Sequence, residues 1–206
     1  MQAVTRRGKA ARQAERTRRR LIVGSLASGV LLLAGLVLLV VHAGGAAPVV
    51  APAAAGPTVG NVAPDGTFTT TDGHDAKVAD LHGKPTLLWF VATWCPSCQA
   101  GTPVIASHID AFSSGGVRVV ELELYGNLGT SGPDIAAFGH QYAQAAYGNP
   151  AWTWGTASQP LSLAYDPQGL PDIYYLLDGS GRITYINTAP AGTVNELLAK
   201  ARQLTA

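Results

Sequence analysis

Residues 86–92, TLLWFVA, form an uncharged and almost wholly apolar run that leads directly into Trp94-Cys95-Pro96-Ser97-Cys98. A run of this length without polar alternation is the pattern of a strand buried on both faces, in the middle of a sheet whose two sides are covered. The segment from Cys95 to about Phe112 reads as a helix, with Pro96 in its first turn and Pro103 inside it, where the missing N–H predicts a kink. Gly115-Gly116 ends it, and 117–124, VRVVELEL, alternates as a second strand. Strand, helix and strand of these lengths predict a right-handed parallel crossover, and so an α/β architecture.

The remainder extends that unit without an internal repeat, in the order β-β-α-β-α-α-β-β-α. Residues 68–71 read as a short edge strand before an Asp72-Gly73 turn. Residues 133–147 read as a helix, Trp152-Thr153-Trp154 as a short strand, and Ser158 with Pro160 as the cap and first turn of a brief helix to Tyr165. Two strands at 173–177 and 182–187 flank Asp178-Gly179-Ser180-Gly181, a hairpin signal. Thr193 and Glu196 have capping-box spacing for a last helix whose apolar face is Val194, Leu197, Leu198, Ala201 and Leu204.

Charge separates this domain from what precedes it. The 206-residue chain has a net charge of +1, but eight of its fourteen basic residues are Arg6, Arg7, Lys9, Arg12, Arg16, Arg18, Arg19 and Arg20. From residue 58 onward six basic residues face twelve acidic ones, a balance of −6. Nucleic-acid binding is disfavoured, because phosphate contacts need clustered Lys and Arg on the folded part. Residues 21–41 carry no charge and, as a helix, reach ~30 Å, the thickness of a bilayer core. Basic residues before the run and none until Lys77 predict a cytoplasmic segment 1–20, a transmembrane anchor 21–41 and an extracytoplasmic domain. A cleaved signal peptide, with Val41-His42-Ala43 as its cleavage site, is the competing reading, although its apolar region would normally be only ~7–15 residues. Residues 42–57, rich in Ala, Pro and Gly, read as a tether, leaving 58–206 as one folded domain.

The chemistry lies in the two cysteines. Separated by two residues where a buried strand passes into a helix, they are placed for dithiol–disulfide exchange. The helix N-terminus favours a thiolate at Cys95, since such sites can bring a cysteine pKa from ~8.5 to between ~3.5 and ~7.5. Cys95 is therefore the predicted nucleophile. Cys98, one turn further in, is the resolving thiol, and Pro96 stiffens the pair. Other uses of two thiols compete. A structural zinc site needs two more ligands, and His74, His82, His108 and His140 show no paired spacing. A stabilising disulfide across two residues removes little chain entropy. A Cu(I) site using both thiols is chemically reasonable, but no Met-rich or His-rich stretch accompanies it.

With these residues the chain resembles a membrane-anchored thioredoxin-fold thiol–disulfide oxidoreductase of the TlpA-like family, which includes the cytochrome c maturation reductases. The resemblance covers about 63–206. It is carried by Ala63-Pro64, Phe68, Asp72-Gly73, Leu81-His82-Gly83-Lys84-Pro85, the Trp94–Cys98 segment, Pro103, and Gly169-Leu170-Pro171 before the Asp178-Gly179 hairpin. It implies a thioredoxin-like fold, a central mixed sheet flanked by helices, with no organic cofactor. It implies that Pro171 is a cis proline facing the disulfide and that Leu170 offers backbone hydrogen bonds to a substrate cysteine segment. It also implies reduction of cysteines in exported proteins, with electrons from a membrane thiol donor. Two positions depart from the family. Trp89 stands where thioredoxins carry a buried acid and many relatives an amide, and Gly101 stands where several relatives place a glutamate. Both remove groups that could take the Cys98 proton, which then falls to water or to another residue.

A few further side chains complete the expectations. Trp94 flanks the active site as an apolar partner surface, with Pro96 and Ser97 as support. Trp152 and Trp154 read as core or lid. Glu121 and Glu123 are candidate bases, though strand-edge or solvated positions are the plainer reading. The sequence thus predicts a thiol–disulfide oxidoreductase using Cys95 and Cys98, with a copper-binding or copper-delivery module on the same thiols as the alternative.

Overall fold

The computed structural model describes residues 56–205. The expected cytoplasmic segment, transmembrane anchor and most of the tether lie outside them. Among the described residues no helix is long and apolar enough to cross a membrane.

Seven strands form one mixed sheet: β1 Thr67–Thr70, β2 Asp75–Lys77, β3 Thr86–Val91, β4 Arg118–Glu123, β5 Trp152–Ala157, β6 Ile173–Leu177 and β7 Ile183–Thr188, in the order β2-β1-β5-β4-β3-β6-β7. The central strands β5, β4 and β3 are parallel, while β1 and β6 flank them antiparallel. The helices are α1 Pro96–Ser107, α2 Ile109–Ser114, α3 Ile135–Tyr142, α4 Gln159–Tyr165 and α5 Pro190–Gln203. The fold class expected from the resemblance, a thioredoxin-like mixed sheet with helices on its faces, is the one found.

All six residues of β3 are buried, and the period-2 alternation of a strand divides them between two cores. Leu87, Trp89 and Val91 enter the core roofed by α1, α2, α3 and α5, with Ile105, Phe112, Phe138 and Leu197. Leu88 and Phe90 enter the opposite core with Leu161, Tyr165 and Tyr175. There Phe90 stacks on Tyr165 at 4.8 Å and meets Tyr175 edge-on at 6.1 Å.

Several local expectations are corrected. The parallel strand around Trp152 runs for six residues and occupies a central position, and Asp75–Lys77 adds an edge strand. The helix after Cys95 continues through Pro103 and breaks instead at His108, whose φ of −115° and ψ of 7° leave the helical region. The 133–147 segment divides into α3, capped by the Asp134 carboxylate accepting from Ala137 N at 2.7 Å, and a 3₁₀ turn at Gln144–Ala146. Thr193 is no cap: α5 begins three residues earlier at Pro190, and the Thr193 hydroxyl donates back to Ala189 O at 3.1 Å. Trp152 and Trp154, expected as core or lid, are core residues as read, stacked at 4.5 Å.

Gly101 shows why α1 lies so close to the sheet. A Cβ there would stand 2.9 Å from the Trp89 ring and 2.8 Å from Pro190 Cγ. The helix is wedged between β3 and α5, and the indole of Trp89 fills the space that a larger residue at 101 would need. Gly101→Ala should therefore lower stability by about 1–3 kcal/mol through overpacking, read from urea unfolding midpoints.

Candidate active site

The end of β3 delivers the two cysteines. Cys95 is the N-cap residue of α1, with extended φ/ψ and its N–H donating to Ala92 O at 2.9 Å; Pro96 opens the helix. Both thiols are free, and their environments differ. Cys95 retains 6% exposure and lies 3.1 Å from the Ser97 hydroxyl, whereas Cys98 is fully buried. Burial, then the charge of Asp172, pushes the Cys98 thiol far above its ordinary range.

Asp172 is the residue that sequence reasoning did not find. It follows Pro171, is 2% exposed, and adopts a left-handed backbone with φ 77°. Its N–H donates to Phe90 O at 3.0 Å, and its carbonyl accepts from Ala189 N at 3.1 Å. The indole Nε1 of Trp89 donates to its Oδ1 at 3.0 Å, while Oδ2 has no protein partner. Burial pushes this carboxyl above the aspartate range, and the Ser97 hydroxyl and Trp89 indole only partly oppose that. Asp172 is a residue of the kind the sequence left unidentified, a buried carboxyl whose charge acts on Cys98. Where the resemblance implies an acid or an amide, the strand carries an indole, and that indole donates to an acid contributed by another loop.

Glu121 corrects an expectation. Instead of a strand-edge or solvated position, it occupies the middle of β4 with no exposure. Register places Tyr174, Trp89, Glu121 and Trp154 in one row across four strands. The Thr102 hydroxyl bonds Glu121 Oε1 at 3.1 Å and the Cys98 carbonyl at 3.0 Å, tying this acid to the second cysteine. Oε2 has no partner. Burial holds the carboxyl well above its ordinary value; the Thr102 bond opposes this and the Asp172 charge adds to it. Glu123, half-buried, is raised by burial and by Asp134.

The Leu170–Pro171 segment departs from its expected form. No cis peptide occurs among the described residues, so Pro171 is trans, the isomer that X–Pro bonds ordinarily prefer. The Leu170 N–H is already engaged, donating to Asp166 Oδ1 at 2.8 Å, while its side chain stands 63% exposed. Leu170 thus keeps an open apolar side chain, with its amide donor spent.

On the other side of the cysteines, Trp94 is half-buried and its Nε1 donates to Asn127 O at 2.8 Å. Asn127 belongs to a left-handed turn in which Gly126, Asn127, Leu128 and Gly129 have φ of 57°, 52°, 56° and 77°. Holding a non-glycine residue such as Leu128 there costs about 1–2 kcal/mol. No local signal in Tyr125-Gly126-Asn127-Leu128-Gly129 marked this turn beyond its glycines and asparagine.

Comparison with known proteins places this geometry. The family model described as Redoxin matches residues 58–200. The chain belongs to the redoxin family. It is 31% identical over 137 residues to the thiol-disulfide oxidoreductase ResA of Bacillus subtilis, covering 66% of this chain and 69% of that protein. It is 31% identical over 110 residues to the thiol:disulfide interchange protein DsbE of Tatumella citrea, covering 53% and 52% respectively. Among solved structures, the Mycobacterium tuberculosis protein described as dsbF superposes with a TM-score of 0.52 at 25% identity, over 68% of this chain and 94% of that one. ResA and DsbE are named as a thiol-disulfide oxidoreductase and a thiol:disulfide interchange protein, and this redoxin is an oxidoreductase of the same thioredoxin-like class.

The raised carboxyls set a pH dependence of stability. An acid whose folded pKa exceeds its unfolded one contributes fully below the unfolded value and loses that contribution as pH rises through the folded value. For Glu121 the loss begins near its ordinary 4.5 and continues upward. Glu121→Gln keeps an acceptor for Thr102 and removes the titration. Its urea midpoint should fall less than that of wild type between about pH 4 and about pH 8.

Proposed function

We propose that this redoxin is a reductase of disulfides in exported proteins, with Cys95 as nucleophile and Cys98 as resolving thiol. The observation that carries the reading is the unequal setting of the two sulfurs: Cys95, the N-cap of α1, keeps 6% exposure, while Cys98 is fully buried and feels the charge of Asp172. Cys95 thiolate attacks one sulfur of a substrate disulfide, the substrate S–S bond breaks, and the departing sulfur takes up a proton. Cys98 then gives its proton to the Asp172 carboxylate and attacks the Cys95 sulfur of the mixed disulfide. The second substrate sulfur leaves as a thiolate and is protonated by solvent or by the acid that received the Cys98 proton, so the substrate has gained two electrons and two protons and the Cys95–Cys98 pair is oxidised. A membrane thiol donor returns the pair to the dithiol by the same exchange in reverse. Leu170 and Trp94 supply apolar surface to the substrate segment, with Pro171 between Leu170 and the acid.

The basic 1–20 segment and the uncharged run at 21–41 support an anchored protein with its catalytic domain outside the cytoplasmic membrane. Reporter fusions at the C-terminus that are active only outside the cytoplasm would support this topology; activity only inside would overturn it. Copper delivery through the same thiols is the rival reading. Among the described residues no group of three or more His, Cys, Asp or Glu is placed to hold a metal. Stoichiometric copper on the purified protein, with no reduction of insulin, would favour that rival.

Insulin reduction should be lost in Cys95→Ser, and Cys98→Ser should accumulate a mixed disulfide whose partner mass spectrometry identifies. Asp172→Asn should have two opposed effects. Removing the charge lowers the Cys98 pKa, while removing the acceptor slows resolution by about 10²-fold near neutral pH. That deficit should shrink as pH rises and solvent takes the proton, as followed by the lifetime of the mixed disulfide.

A further inference from the structure

The turn after β4 spends backbone conformation on holding the residues just before Cys95. Four successive residues, Gly126 to Gly129, have positive φ, and Asn127 among them is 6% exposed. Its side-chain amide is used at both ends: Oδ1 accepts from Thr93 N at 2.9 Å, and Nδ2 donates to Thr93 Oγ1 at 2.7 Å. Its carbonyl accepts from Trp94 Nε1 at 2.8 Å. The Thr93 carbonyl is taken by Gln99 Nε2 at 3.0 Å, so the Thr93 N–H, carbonyl and hydroxyl are all engaged. Gly132 closes the arrangement, since a Cβ there would strike Thr93 Oγ1 and approach Asn127 Nδ2 to 2.7 Å. The Tyr125 N–H, donating to Ser162 Oγ at 2.8 Å, ties the turn to α4.

Asparagine suits this place for two reasons at once. It tolerates the left-handed region, and it brings an amide that can satisfy a backbone donor and a hydroxyl together. Glycine would meet the first need alone. The strained turn therefore does more than reverse the chain: it fixes the orientation of Thr93 and of the Trp94 indole, the half-buried ring next to the nucleophile.

We infer that Asn127 is a positioning residue for the exchange reaction, acting through Thr93 and Trp94 to hold the indole as a fixed wall against which a protein substrate docks over Cys95. This rests on the oxidoreductase reading and adds to it the element that separates extended polypeptide substrates from small disulfides. A polypeptide segment must lie along the wall to bring its disulfide to Cys95, whereas a small disulfide reaches the sulfur without it. Loosening the wall thus weakens docking of one and not attack on the other.

The test compares insulin with a small aromatic disulfide, using the full chain in both cases. Asn127→Gly keeps the left-handed backbone and removes the amide. It should raise KM for insulin by roughly tenfold with kcat within about twofold, and leave the rate with the small disulfide within about twofold. Asn127→Asp, which retains the acceptor for Thr93 N, should recover most of the insulin KM. Trp94→Phe removes the donor to the Asn127 carbonyl without touching the turn and should reproduce the KM increase, which keeps the test decisive if Asn127→Gly does not fold. An unchanged insulin KM in the folded Asn127→Gly and Trp94→Phe variants, or an equal loss with both substrates, would overturn the inference. Absence of turnover by wild type with either substrate would instead remove the oxidoreductase reading beneath it.

Discussion

A strand with no exposed residue has to satisfy two cores at once, and β3 is that strand. Its odd residues enter one core and its even residues the other, and hydrogen bonding to β4 and β6 fixes its position along both neighbours. The cysteines begin within a few residues of its end, so their placement inherits the rigidity of the most buried part of the molecule. Sliding β3 by one residue would exchange its two faces, removing Trp89 from Asp172 and Phe90 from Tyr165. The geometry of the thiols is thus decided by packing on both sides of the sheet.

The two departures from the family pattern, Trp89 and Gly101, prove to be one arrangement. The indole is too large to lie beneath a helix carrying a side chain at position 101, and the glycine lets α1 settle onto it. In that position the indole N–H needs an acceptor, and Asp172 provides it. An apolar core that holds two carboxyls with unpartnered oxygens, Glu121 and Asp172, is costly to maintain. Natural cores carry such groups where a proton has to be held or moved, and in the proposed exchange it is Cys98, whose thiol feels the Asp172 charge, that gives one up.

What the sequence made legible was local or periodic. The 86–92 run, the Trp94–Cys98 segment and the hairpin around Asp178-Gly179 each carry their signal within a few residues, and each appears as expected. Strand β5 was read as only three residues because Gly155 interrupts its pattern; that glycine lies where a Cβ would be 2.5 Å from Thr69 O, a constraint set by a strand far away in sequence. The capping-box spacing of Thr193 and Glu196 was overridden because Pro190 starts the helix earlier and Tyr174 engages the Thr193 hydroxyl. Alternation in VRVVELEL put Glu121 on the same face as Val119, yet its charge pointed to solvent, and only the row of aromatic neighbours shows it enclosed. Asp172 carried no local mark at all, because its role depends on an indole 83 residues away.

That separation has a consequence for the newly made chain. Synthesis runs from the N-terminus, so Cys95 and Cys98 emerge well before Asp172 and before Pro190, the residue that pins α1 from behind. Until the last third of the domain is translated, the two cysteines lack both the Asp172 carboxyl and the Pro190 contact behind α1, and stand as an ordinary pair of cysteines on an unfinished polypeptide. A ribosome-stalled or C-terminally shortened product would therefore hold the Cys95–Cys98 motif intact while lacking both the buried acid and the contact behind α1.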